Sequence, residues 1–483
     1  MSPSDPARDA SSEGARFAPA QKQRWSLYAG IAEAAKSTAA RREILGWSAL
    51  AMLSLAVAGG FALLLALSRV PGAAQLFPWP VGFFQKGLVI HVVLSFVVWL
   101  LSVLGATTTL ATLRLSAGRP RWRWLGAAAI VGTAVATVML FVPAWLDRGE
   151  PSLNNYVPVI IDPLYYGGLV MLAGSVALTV IRLFANLPGC RGPLEPVSLS
   201  SGAAGLVYLL ALACFTLAWL KLAAGDGAPV TVAFNEDLFW GGGHALQFVN
   251  LGLMLGAWYV LGGLALGRPL LHPRLMTAAL VLLVLAALPA PFLYVFLEPF
   301  SGEQKQAFTD LQFLLAPPVL LVAAGAVATL RRAAAERLPW TEPVFHCLVL
   351  SMVVFAVGGV LGLFVDGADT RTPAHYHGVI GGINLALMGL FFGLILPLLD
   401  RALAAGKAVM WSIWLYGVGQ LLHVLGLFWA GGYGAPRKIV AAEGLEGLTA
   451  TTGLYLLGVG AAIAVVGGVM FIVLVSKALL KRL

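Results

Sequence analysis

FAVGGVLGLFVDGADTRTPAHYHGVIGGINLALMG, residues 355–389, decides how this chain is read. An apolar run ends at the acidic connection around Asp366 and Asp369, and a second begins within a few residues and carries His375 and His377. Extended to their natural limits, the runs cover about 343–365 and 374–399. Each is long enough to cross a hydrocarbon core of about 30 Å as a helix. Similar runs recur on both sides, at about 44–67, 82–113, 124–146, 157–183, 200–221, 238–265, 275–297, 308–330, 408–430 and 452–476. The fold class expected is therefore all-α, a polytopic membrane bundle of about twelve helices. Only 11% of residues are charged and 59% are hydrophobic, whereas soluble chains carry roughly 25% charged residues.

The flanks fit this reading. Residues 1–43 read as a polar tail followed by a short surface helix, and 44–483 as one transmembrane domain. The first twenty residues lack the apolar centre of a signal peptide. Loops after even-numbered spans, counted with Arg182, hold thirteen Lys and Arg, and the opposite loops, counted with Lys86 and Lys221, eight. The positive-inside rule then puts both termini in the cytoplasm of a bacterial-type inner membrane. The net charge of +9 is mostly this bias, and it implies membrane lipid as partner and no nucleic acid. The outer loops are acidic, either as solvated charge or as a docking face for a basic electron donor. Three scattered cysteines, with no CxxC or CxxCH, exclude a zinc knuckle and a covalently attached haem on this chain.

Of seven histidines, His272 and His346 fall near the cytoplasmic side and read as interfacial polar residues. The other five, His91, His244, His375, His377 and His423, fall in the outer halves of four spans. Ionisable groups inside spans are costly and are usually functional. Five at one depth point to a cofactor layer; a transporter without a cofactor gives them no reason to share it. Residues i and i+2 of a helix project about 200° apart, so His375 and His377 serve opposite faces. One helix can hold an iron on each side. His91 is at a suitable depth to complete a bis-histidine haem, and a haem with one protein ligand keeps a position open for a gas.

At this point the chain resembles subunit I of the haem-copper oxidase superfamily, which includes cytochrome c oxidases and nitric oxide reductases. The strongest match is 355–389; further matches are FFQKGLVIHVVLSFVVWLLS at 83–102, GQLLHVLGLFWAGGYGAPRK at 419–438 and AFTDLQFLLAPPVLL at 307–321. The resemblance implies that His91 and His377 bind a low-spin haem and His375 a high-spin haem. It also implies that Arg437 and Lys438 pair with haem propionates, for which a planar guanidinium is suited. Two haems of unassigned type are the expected cofactors, and electrons are expected from a separate subunit, cytochrome or quinol.

The departures concern the second metal. Relatives hold a copper or non-haem iron with one histidine on span 6 and two on span 7. FWGGGHALQF at 239–248 supplies His244, a remnant ligand, but ALPAPFLYVFLEP at 287–299 has no histidine. One imidazole is not a metal site, so a copper or non-haem iron is doubtful unless Glu298, Glu303 or Asp310 completes one. Phe248 stands where some relatives have a catalytic tyrosine or glutamate, and Tyr294 is the nearest substitute. No catalytic residue is assigned. Two functions follow: a cytochrome c oxidase-like or nitric oxide reductase-like oxidoreductase, or a non-catalytic haem carrier, gas sensor or assembly factor on the same fold.

Overall fold

A computed structural model describes residues 25–68, 81–190, 194–225, 229–334, 338–365, 369–435 and 448–481. Twelve helices in it are long and apolar enough to cross a membrane. Numbered as spans 1–12, they are Thr38–Leu65, Phe84–Leu115, Arg123–Trp145, Pro163–Gly189, Pro196–Ala223, Val232–Leu266, Pro273–Phe296, Gly302–Ala334, Pro343–Phe364, Arg371–Leu398, Lys407–Gly432 and Thr452–Leu479. Each overlaps a run expected from the sequence. Helices dominate because a helix satisfies its backbone hydrogen bonds internally, which lipid requires of any spanning segment.

Spans 2, 6 and 10 form the centre. The most apolar window of span 6 is 94% buried within the protein and that of span 10 83%, against 17% for span 8. Two hydrogen-bonded junctions tie the centre together. Trp99 Nε1 of span 2 donates to Asn384 Oδ1 of span 10 at 3.0 Å, and Asn384 Nδ2 donates to the Tyr416 hydroxyl of span 11 at 2.9 Å. Trp258 Nε1 of span 6 donates to Ser351 Oγ of span 9 at 2.7 Å, and Ser351 donates to the Gly382 carbonyl of span 10 at 2.6 Å. Spans 11 and 12 approach backbone to backbone, so that a Cβ at Gly426 or Gly460 would collide with the facing main chain.

At the end of the bundle away from the intramembrane histidines, Arg182 and Glu43 form a buried two-pronged pair at 2.6 and 3.3 Å. Arg114 and Glu195 form a half-buried two-pronged pair at 2.7 and 3.1 Å. The expected surface helix is Ser26–Ala34, with Leu27, Ile31 and Ala34 turned inward. Span 1 starts earlier than the sequence suggested, at Thr38.

The main correction concerns span 4. The run at 157–183 implied helix from Val157, but Glu150–Ser152 and Val159–Ile161 pair as an antiparallel hairpin. The helix begins only at Pro163. Asp162 caps it, its side chain accepting from Leu164 N at 2.8 Å, and Pro163 occupies the first helical position, where a missing N–H costs nothing. The β-branched Val159, Ile160 and Ile161 favour the strand.

Candidate functional site

The histidine layer can be built from the Trp99–Asn384–Tyr416 junction and from the contact between spans 6 and 10. Spans 2 and 10 run parallel. His91 lies eight residues before Trp99 and His377 seven before Asn384. At about 1.5 Å rise per residue, both stand roughly 10–12 Å from the Trp99–Asn384 bond, on the same side. Span 11 runs the other way, and His423 lies seven residues beyond Tyr416, again at that level. Its ring meets His377 edge to face at 4.9 Å. Spans 6 and 10 are also parallel and touch where a Cβ at Gly389 would meet the Leu261 side chain. His375 is fourteen residues before the one and His244 seventeen before the other, so their levels agree within about 5 Å.

The rings are held in a common manner. Nδ1 lies 2.9 Å from the Ala58 carbonyl in His91, 2.8 Å from Gly358 in His375 and 3.1 Å from Leu457 in His423. A carbonyl only accepts, so Nδ1 carries the proton and the lone pair resides on Nε2. This outer hydrogen bond is the one that orients metal-ligating imidazoles. His375 and His377 serve different neighbours: His375 lies against span 9, and His377 lies against span 11. A Cβ at Gly362 would sit within 2.5–2.7 Å of the His375 ring, so only glycine leaves the ring its position.

Span 2 changes its winding just after His91. Val93–Val98 is π-helical, and Ser95 Oγ donates to the His91 carbonyl at 2.6 Å. Such wide turns inside helices concentrate at functional sites. A second lies at Phe391–Ile395 in span 10, where Phe391 stacks on Trp99 at 5.6 Å.

The surroundings of His244 are different. Nδ1 lies 2.7 Å from the Trp240 carbonyl, and Nε2 lies 2.8 Å from the Tyr156 hydroxyl. Tyr156 comes from the 150–161 hairpin, which sequence reasoning had not singled out. Asn155 anchors it by donating to Glu236 through its backbone N–H at 2.8 Å and its amide at 2.6 Å. Gly241, Gly242 and Gly243 each admit an aromatic ring: Phe308 with Tyr294, Phe215, and Tyr156 respectively. The three glycines were the available signal, since consecutive glycines on a central helix leave room for large partners. Glu298, Glu303 and Asp310 are all exposed, so none turns inward to complete a metal site. Inward from that region point Tyr294, Gln304 and Phe308. Among the described residues, no group of three or more His, Cys, Asp or Glu is arranged to hold an ion.

Much of the acidic side is internally paired. Lys86 meets Asp147 at 2.6 Å, Arg148 meets Asp162 at 2.9 Å, and Lys305 meets Asp237 at 2.7 Å. Asp369 accepts from Arg371 N and Nε, each at 2.8 Å. Burial alone would raise the Asp369 pKa, but the Arg371 hydrogen bonds and charge outweigh it and hold the carboxyl below its usual range. Arg437 and Lys438 lie outside the described residues.

Comparison with known proteins bears on the family and the fold. The family described as cytochrome c and quinol oxidase polypeptide I matches residues 44–470. An uncharacterised protein of Aquifex aeolicus is 29% identical, covering 72% of this chain and 83% of its own length. One from Rickettsia prowazekii is 24% identical, over 89% of this chain and 94% of its own. Cytochrome c oxidase subunit 1 of Thermus thermophilus is 25% identical, over 77% and 72%. A solved haem-copper terminal oxidase dimer shares the fold, with a TM-score of 0.76 at 17% identity over 92% of this chain and 85% of that one. The chain therefore belongs to the cytochrome c and quinol oxidase polypeptide I family, integral membrane proteins of haem-dependent electron transport.

Proposed function

We propose that this chain is the haem-bearing subunit of a respiratory oxidoreductase, with His91 and His377 holding a low-spin haem and His375 a high-spin haem open to dioxygen or nitric oxide. The observation that carries the reading is the two-sided use of span 10, with His375 turned to span 9 and His377 to span 11. When bound, the haems supply electron transfer and an axial position for the gas. The chain's own part is to fix the rings: carbonyls of Ala58 and Gly358 hold the Nδ1 protons of His91 and His375, leaving Nε2 as the ligating atom. Arg437 and Lys438 are proposed to meet the propionates. Electrons arrive from a separate subunit, cytochrome or quinol, and both termini face the cytoplasm. A non-catalytic haem carrier or gas sensor is the second reading, favoured by the engagement of both His244 nitrogens.

Optical and electron paramagnetic resonance spectra of the purified chain, with and without carbon monoxide, test the assignment. His91→Ala and His377→Ala should each abolish the low-spin signal. His375→Ala should remove the carbon monoxide response and spare the low-spin haem. Identical spectral losses from His375→Ala and His377→Ala would refute it. Turnover of dioxygen or nitric oxide separates enzyme from carrier. Orientation is tested in a Cys190→Ser background by labelling cysteines placed at Glu298 and Arg119, both exposed; the first should react only from the outside and the second only from the cytoplasm.

A further inference from the structure

The fold family implies a second metal beside His244, and the donor set here does not fit one. A copper or non-haem iron needs several imidazole or carboxylate ligands held in geometry. His244 is a single imidazole, and both of its nitrogens are in use. The Trp240 carbonyl accepts the Nδ1 proton, which leaves the Nε2 lone pair to accept from the Tyr156 phenol at 2.8 Å. The lone pair a metal would need thus already holds a phenol proton.

Among the described residues, no group of three or more His, Cys, Asp or Glu could complete a site around the ring. The carboxylates nearest in sequence are committed elsewhere: Glu236 to Asn155 and Asp237 to Lys305. Glu298, Glu303 and Asp310 are exposed. The space is also filled. Trp240 lies 4.8 Å from the His244 ring centre, Tyr156 4.4 Å and Phe308 6.0 Å. His244 itself is only 2% exposed. The hairpin that brings Tyr156 is fastened independently of the pair, through Asn155 to Glu236 and through Asn154 Nδ2 to the Val157 carbonyl at 2.6 Å.

We propose that the Tyr156–His244 pair is a protein-built replacement for the second metal: a hydrogen-bonded phenol–imidazole site, sealed by the 150–161 hairpin and three aromatic-filled glycine positions, which excludes metal. The inference stands on the donor set around His244 and is independent of the haem ligand assignment, so the two fail separately.

The purified full-length chain is exposed to copper(I) and then washed with a competing chelator, and retained copper is measured in wild type, His244→Ala and Tyr156→Phe. All three should retain the same amount, with haem content unchanged. A second readout detects the pair directly. The infrared C–O stretch of the Tyr156 phenol, isolated by difference against Tyr156→Phe, should shift when His244 is replaced by alanine. One copper retained by wild type and lost in His244→Ala would overturn the proposal. So would a Tyr156 band indifferent to His244. If His244→Ala fails to accumulate, nitrogen NMR of His244 in wild type and Tyr156→Phe replaces it: Nδ1 should be the protonated nitrogen in both, with the Nε2 resonance shifting on loss of the phenol. An unshifted Nε2 resonance would refute the pair.

Discussion

Two regions of the histidine layer use the same side chain to opposite ends. Around span 10, the described hydrogen bonds of His375 and of the nearby His91 and His423 go from one ring nitrogen to a backbone carbonyl. Around span 6, the protein takes both nitrogens of His244. Depth and residue type are alike in the two places. Between His375 and His244, what differs is that the Tyr156 phenol meets Nε2 of His244, and with it the chemistry open to the ring. A histidine inside a membrane span is thus read by what meets its second nitrogen, and depth alone does not distinguish ligand from lock.

The comparison breaks or holds first on the span 10 side. His377→Ala should eliminate the low-spin signal completely, while Tyr156→Phe leaves both haem spectra as in wild type; equal spectral damage from the two would erase the distinction. Gly362→Val comes next. Its side chain would occupy the place of the His375 ring, and overpacking of this kind costs about 1–3 kcal/mol. The expected result is loss of the carbon monoxide-binding haem with the low-spin haem retained, read from the optical spectrum.

On the span 6 side, Tyr156→Phe removes one hydrogen bond and preserves the ring. Because His244 Nε2 is left buried without its donor, thermal unfolding in detergent should show a loss of about 1–3 kcal/mol. The smallest effect is expected at Asp369. Its folded-state pKa is depressed, so the stability it contributes is present above its unfolded value and disappears as pH falls through the folded one. An acid-side stability profile should therefore flatten slightly in Asp369→Asn, with neutral-pH stability changed less than in Tyr156→Phe.

The spans were legible because lipid imposes a single solution on each of them, and the five intramembrane histidines were legible because polar groups at that depth are rare. The sequence failed where a short apolar run was not a helix. Val157–Ile161 looks like the start of span 4, yet the Asp162–Pro163 cap and three consecutive β-branched residues are the stop signal for that reading. The same error hid Tyr156, whose contact with His244 spans 88 residues of sequence. No periodicity reports a contact of that range between a loop and a helix. The acidic loops were legible as charge but not as pairs. Asp147, Asp162, Asp237 and Asp369 each meet a cation, which compensates their charge locally.

The π-helical turn at Val93–Val98 lets span 2 hold one residue more with its phase unchanged. A π turn accommodates one residue more than an α turn over the same length. Deleting one residue, Phe96 for instance, would let the segment close as an ordinary helix. Because the π turn takes that residue up within one turn, the segments on either side would keep nearly the same phase. The Trp99–Asn384 bond and the His91–Ala58 contact would then both keep their places. The wide turn therefore absorbs an extra residue without turning the ring away from its structural anchor. Relatives that lack the extra residue should present the equivalent histidine at the same place, and an alignment of this span should open a single-residue gap within two turns of it.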